Sequence, residues 1–295
     1  MTVQEITRRP SAVLVRPIAR EDAERVGRFL HQHLNARISS ECWAAAMTPT
    51  WQAEAPNHGY MLIRGDEIVG VQLAFYSQRQ TAEGPERFCN LAALCVLPDQ
   101  RMHSFRLLKA LLGQPGYTFT DLSPSGNVPP LNARLGFRSL DTKTALVINL
   151  PRPSLPGRAR LITDANRIAA TLGGRDLEIF RDHLGAQAAR QLVVVVGNRV
   201  CHVIYRRDRR KRLPLFASLL HVSDTELFRR VGSVVFRHLL IRHGIPFTLA
   251  ELRVVKYRPR PSLLIGKHRP KMFLSDRLAP ETIDYLYSEL TCVAW

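Results

Sequence analysis

The sequence predicts an α/β protein of the α+β kind. It should form two domains, each a mixed, mostly antiparallel sheet flanked by helices. Three observations lead there. Hydrophobic residues make up 45% and charged residues 23% of 295, enough apolar material for a core. The stretch LPRPSLPGRARL (Leu150–Leu161) holds three prolines and a glycine, which interrupt regular structure. On each side of it the same order can be read: helix, hairpin, strand, helix, strand. The predicted division is 1–150, a linker at 151–160, and 161–295. The length admits one large or two medium domains.

In the first half, VLVRPI (Val13–Ile18) alternates as a strand. AREDAERVGRFLHQHL (Ala19–Leu34) is a helix with Glu21 and Asp22 in its first turn, where carboxylates meet the positive end of the dipole. Residues 60–78 form two strands around a Gly65-Asp66 turn. RFCNLAALCVLP (Arg87–Pro98) is an apolar strand, and MHSFRLLKALLGQ a helix with Phe105, Leu108 and Leu112 on one face. YTFTDLS is a strand. PPLNARLGFRSL is a short helix leading through Leu135-Gly136-Phe137 into a last hairpin, ALVINL.

In the second half, DLEIFRDHLGA is helical, and Gln191–Arg207 is a hairpin turning at Gly197-Asn198. Leu213–Ser223 is an apolar strand. Thr225–Gly244 is a helix closed by Gly244 as its C′ residue. IPFTLAELRVV is a strand, and PETIDYLYSEL a final helix with Pro280 near its start. The repetition is one of element order, without obvious residue-level similarity.

Lys and Arg number 42 against 25 Asp and Glu, a net charge of +17. Such a field attracts polyanions: nucleic acid, anionic headgroups, acidic carrier proteins or phosphorylated cofactors. An arginine-rich proteome would produce the same surplus. No apolar run is long enough for a membrane span, and the first residues lack the apolar stretch of a secretory signal. Cys42, Cys89, Cys95, Cys201 and Cys292 form no Cys-x-x-Cys pair and read as reduced core thiols of a cytoplasmic protein. His and Cys are dispersed without ligand spacing, so no metal is expected.

The segments VRPIAREDAERV, IRGDEIVGVQLAF, LAALCVLPDQR and NARLGFRSL, in that order, resemble the GCN5-related N-acetyltransferase superfamily. The resemblance covers about residues 13–150, and about 160–295 is similar to a divergent copy of the same fold. It implies transfer of an acyl group from acetyl-CoA or another acyl-CoA to an amine acceptor. In the family, a loop of pattern Gln/Arg-x-x-Gly-x-Gly/Ala opens the helix after the fourth strand. Its backbone amides and the helix dipole bind pyrophosphate, and its glycines allow close approach. After Val96 at the strand end, Arg101 matches the first motif position. Ser104 and Arg106 stand where the glycines belong. Arg106 either blocks the cofactor or pairs with a phosphate. Asn127, beyond the fifth strand, completes this candidate donor set. In the second half, Arg229, Gly232 and Val234 have the motif spacing. The interval from Val222 to Arg229 is two residues longer than that from Val96 to Arg101, so this stretch could equally be a first helical turn capped by Ser223 or Asp224.

Acyl transfer to an amine needs a base, and often an acid for the leaving thiolate. The family's usual acid, a tyrosine five positions before the Phe of Leu-Gly-Phe, is Asn132 here. Asp121 is the first base candidate, or else caps the following turn with Ser123 and Asn127. Glu251 and Tyr257 are candidates in the second half. Glu251 is either a solvent-face or a cleft carboxylate, and His221 reads as a core or edge histidine. The runs RRDRRKR (Arg206–Arg212) and Lys256–Lys271 are strongly basic. If they converge they could hold coenzyme A phosphates, dock an acidic acyl carrier protein or grip tRNA. Three readings remain open: an acyl-CoA-dependent N-acyltransferase, a transferase using aminoacyl-tRNA or a carrier protein, and a non-catalytic binding protein on the same fold.

Overall fold

The structure, a computed structural model, describes residues 12–81, 84–151, 159–210, 213–266 and 270–294. Residues 152–158 of the predicted linker lie outside them, as do Lys211, Arg212, Lys267 and Arg269 of the basic runs.

The first half begins with strand β1 (Val13–Pro17), a tight turn at Arg20–Asp22, and helices α1 (Ala23–His33) and α2 (Ser40–Ala46). Strands β2 (Gly59–Arg64), β3 (Glu67–Thr81) and β4 (Gly84–Val96) follow. A 3-10 turn at Pro98–His103 runs into α3 (Ser104–Leu112). Then come β5 (Thr118–Asp121), α4 (Val128–Arg134), β6 (Arg138–Ser139) and β7 (Thr144–Ile148). The second half contains β8 (Arg160–Ile162), α5 (Ala165–Thr171), α6 (Gly174–Asp182), β9 (Arg190–Val196), β10 (Arg199–Arg210), β11 (Leu213–Val222) and α7 (Thr225–His243). It ends with β12 (Phe247–Glu251), α8 (Leu252–Val255), β13 (Ser262–Ile265), β14 (Met272–Leu274) and α9 (Glu289–Cys292).

Two seven-stranded sheets result, in the orders β1-β2-β3-β4-β5-β14-β6 and β13-β7-β12-β11-β10-β9-β8. Among the described residues, only β4–β5 and β11–β12 are parallel pairs. Both sheets are therefore mixed and mostly antiparallel, as predicted. The central strands are buried on both faces. In β3, Val71, Leu73 and Phe75 join the cluster that holds Trp43 of α2, and Ala74 and Tyr76 join the one that holds Leu108 and Leu111 of α3. In β10, Cys201, Val203 and Tyr205 pack on Leu227, Phe228 and Val235 of α7. Ile204 belongs to the first cluster, together with Ile179, Leu220, Tyr285 and Tyr287. The largest apolar core thus crosses from one sheet to the other.

The halves also exchange strands. β14 enters the first sheet between β5 and β6, with Met272 opposite Asp121 and Leu274 opposite Phe119. β7 enters the second sheet between β13 and β12, with Val147 opposite Thr248. The expected hairpin at ALVINL therefore does not form: β7 turns away from β6 and pairs across the boundary near residue 150.

Two further expectations fail for local reasons. The strand IPFTLAELRVV stops at Glu251, and Leu252–Val255 turn into a short helix. PETIDYLYSEL is a 3-10 turn at Pro280–Thr282 and then a mostly non-helical segment. Tyr285, Leu286 and Tyr287 are all buried in succession, which a one-faced helix cannot do, and Tyr287 takes φ 56°. Cys42 is exposed on α2, contrary to the core reading, whereas the other four cysteines are buried and unbridged.

A fragment ending at residue 150 lacks β14 and leaves β7 without its neighbours. It is expected to show no cooperative thermal unfolding by circular dichroism. Co-expression with a fragment spanning 151–295 should restore the transition.

Candidate functional site

β4 and β5 run side by side from Phe88 with Thr118 to Leu91 with Asp121, where their pairing ends. Just beyond, β4 takes in an extra residue against β3: Leu73 faces Ala92 but Val71 faces Cys95. Ala93 sits at this bulge with φ 51°, a rare conformation for a residue with a side chain. The parted strands open a cavity of about 490 Å³, walled by Leu91–Leu94, Asp121, Ser123–Gly126, Gln72 and Pro270 among others.

Asp121 is 6% exposed and reaches this cavity. Asn132 Nδ2 donates to its Oδ2 at 2.8 Å. Burial, and then the charge of Glu289, push the Asp121 carboxyl up to about 7, against the stabilising bonds from Asn132 and the Ser123 backbone. Glu289 is itself fully buried, and burial raises it to about 6. Ser123 Oγ donates to Glu289 Oε1 at 2.7 Å, while Oε2 has no partner. Gln72, 3% exposed, lines the same cavity with its Oε1 unpartnered.

The second sheet repeats the geometry. β11 and β12 pair in parallel as far as Ser218 with Leu249. β11 then takes in one extra residue, Leu220, against β10. A cavity of about 550 Å³ lies here, between the halves, and Ser123 borders both cavities. Glu251 and Lys271 line it as a buried ion pair, Nζ to Oε1 2.6 Å. Tyr285 Oη donates to the other carboxylate oxygen, and Lys271 Nζ stands 3.4 Å from the Tyr285 ring centroid. Glu251 is thus a cleft carboxylate, already neutralised. Arg37, Arg190, Arg207 and Arg209 are exposed at the walls. Arg206 is buried, its guanidinium held by Asp208 and the Leu290 carbonyl.

The donor-loop candidates lie on a tight turn at the start of α3. From Pro98 to His103 the chain closes into a 3-10 turn, with Gln100 N bonded to Leu97 O and Ser104 N to Arg101 O. These amides are spent inside the turn. Val96 ends β4 opposite Gly70. Ser104 is half-buried, and Arg101 is exposed. Arg106 is exposed, and its Nη1 donates to the Val13 carbonyl at 2.8 Å, tying α3 to the edge strand β1. Asn127 is exposed at the start of α4 and makes no capping bond.

In the second half, Asp224 caps α7 by accepting from Leu227 N and also binds Arg199 through both carboxylate oxygens. A carboxylate therefore occupies the helix end that would receive phosphate. Arg229 is exposed one turn inside α7, and Gly232 packs against the Phe228 ring and the Tyr257 hydroxyl. Tyr257 bonds weakly to the Phe228 carbonyl at 3.4 Å, burial pushes it up to about 12, and it reaches neither cavity. Lys271 is the one described cation of the Lys256–Lys271 run that lines the cavity beside β11 and β12. Sequence reasoning missed the Asn132 support, the Lys271 partnership, Gln72 and Glu289, all of which depend on long-range contacts.

Glu251→Gln should cost about 3 kcal/mol by stranding a buried ammonium, and the double variant Glu251→Leu, Lys271→Met should recover most of it. Guanidinium unfolding in a double-mutant cycle measures both. Asp121 keeps its proton to about pH 7 when folded but loses it near 3.8 when unfolded. The associated stability is full below about pH 4 and declines as pH rises towards 7. Asp121→Asn should flatten that decline and be more stable than wild type at pH 8, by about 1–3 kcal/mol in urea unfolding.

No protein-family model matches the sequence, and no curated protein is similar to it in sequence. Solved structures are similar in fold. A GCN5-related N-acetyltransferase from Anabaena variabilis aligns with 89% of this chain and 72% of its own at 11% identity, TM-score 0.58. One from Kribbella flavida aligns with 89% and 71% at 13% identity, TM-score 0.54. The N-myristoyltransferase of Saccharomyces cerevisiae, solved with bound myristoyl-CoA, aligns with 96% and 84% at 10% identity, TM-score 0.50. The chain has the fold of the GCN5-related N-acetyltransferases, built from two sheets, each of which takes one strand from the other half of the sequence.

Proposed function

We propose that this chain is an N-acyltransferase, moving an acyl group from a coenzyme A thioester to an amine in the cleft between β4 and β5. The observation that carries the reading is Asp121: a buried carboxyl, pushed to about 7, facing the cavity at the point where two parallel strands part. A base with that value is matched to taking a proton from an ammonium near neutral pH.

The freed amine attacks the thioester carbonyl carbon, the C–S bond breaks, and the thiolate leaves. Asn132 is spent on Asp121 and carries no acidic proton, so the thiolate takes its proton from solvent. Gln72 Oε1, unpartnered in the cavity wall, is an acceptor for the incoming amine N–H. Strand edges that part at Leu91 and Asp121 suit the amide-bearing arm of coenzyme A, which binds as an added strand does. Phosphates would meet side-chain cations such as Arg101 rather than loop amides, so affinity should fall with salt.

A second reading is supported by the interdomain cavity. Four exposed arginines there, with both helix starts occupied, favour a donor borne on an anionic carrier such as tRNA or an acidic carrier protein.

Isothermal titration with acyl-CoA at low salt and turnover with an amine panel test the first reading. Asp121→Asn should lower kcat about 10²–10⁴-fold while leaving the acyl-CoA Kd within about twofold, and should remove a low-pH limb near 7 from the kcat/KM profile. Absence of binding at millimolar acyl-CoA would sink it. A tRNA complex that survives moderate salt but is lost in an Arg207→Ala, Arg209→Ala double variant would promote the second.

A further inference from the structure

On the face of the second sheet that meets α6, two histidines come together. Ile204 of β10 faces His221 of β11, and His202, two residues before Ile204, projects from the same face. The two imidazole centroids lie 5.7 Å apart. Asp176, in the first turn of α6, adds a carboxylate. One ligand atom from each of Asp176, His202 and His221 lies within 4.8 Å of the other two.

The hydrogen bonds assign the lone pairs. Gln191 Nε2 donates to the Phe180 carbonyl at 3.1 Å, so Gln191 Oε1 is free to accept from His202 Nε2 at 2.9 Å. His202 therefore holds its proton on Nε2 and presents an unprotonated Nδ1. That Nδ1 is buried without a partner, and so is His221 Nε2. Two unsatisfied imidazole nitrogens beside each other carry a cost that an ordinary core would avoid. Asp176 makes no hydrogen bond or ion pair with a described residue, since the neighbouring Arg175 pairs with Glu178. His183, also close by, is excluded: its Nδ1 meets the Ile179 carbonyl and its Nε2 accepts from Tyr287 N.

We propose that Asp176, His202 and His221 bind a divalent transition-metal ion, zinc(II) in the first instance, with water at the remaining position. Two histidines and a carboxylate suit zinc, and a histidine whose second nitrogen donates to a carbonyl oxygen is the usual supported ligand. Tetrahedral ligands at about 2.1 Å from one ion lie ~3.4 Å apart, so closure needs a shift of at most ~1.4 Å, within a rotation of the half-buried Asp176. The ion would fasten α6 to the β10–β11 pair, away from the Asp121 cavity.

The test uses the full chain stripped with chelator and dialysed. Titration with Zn²⁺ should show one equivalent bound and a thermal midpoint raised by ~5 °C at saturating metal. Asp176→Asn and His221→Gln should each weaken binding more than ~100-fold while melting like the metal-free wild type. His238→Asn, at the separate His238–His243 contact, should bind as wild type does. No binding by wild type at ~1 mM Zn²⁺, or one equivalent that survives both ligand variants, overturns the proposal. Should a variant fail to fold, anomalous scattering from zinc-soaked wild-type crystals decides. A peak between the three side chains supports the site, and a peak elsewhere or none overturns it.

Discussion

The pairing of Met272–Leu274 with Phe119–Asp121 is the contact on which the rest of the arrangement depends. A short strand from the end of the chain closes the open edge of β5. It thereby fixes Asp121 from one side while Leu91 fixes it from the other. The same strand delivers Lys271 to Glu251, so the polar wall of the larger of the two cavities is set by the register of β14. Backbone pairing of this kind is insensitive to side-chain identity, which is why it coexists with such divergent surroundings.

The two clefts illustrate divergence within one geometry. Each has a parallel pair that parts beside a bulge, at Ala93 and at Leu220. In one, a carboxyl is left protonatable and faces open space. In the other, a lysine and a tyrosine saturate the carboxylate. The difference is electrostatic rather than architectural: desolvation raises Asp121 because no cation reaches it, whereas Glu251 has its counter-ion in contact. The two helix starts differ as well: α3 follows a tight turn, and α7 is capped by Asp224.

Much of this fold is legible in the sequence, because its strands and helices are local. The turns at Gly65 and Gly197, the Gly244 cap and the amphipathic α1 with Val26, Phe29 and Leu30 buried all follow from short-range chemistry. The exchange of β7 and β14 is not legible, since neither strand carries a mark of which sheet it joins. Asp121 could be picked out as a candidate, but its tuning comes first from burial in the assembled fold and then from Glu289, far away in the chain. The cluster of Asp176, His202 and His221 has no motif spacing at all: one bulge and one helix bring it together. The bond from Arg106 to the Val13 carbonyl of the edge strand is likewise not legible, since it joins residues far apart in the chain.

The strand exchange also bears on how the chain is made. As synthesis proceeds, β5 emerges about 150 residues before the strand that will cover its edge. At about 5–20 residues per second, that edge waits for roughly 8–30 s. For that interval the nascent first sheet ends in unpaired N–H and C=O groups, a template for any passing strand. Rapid translation of the second half would shorten that exposure.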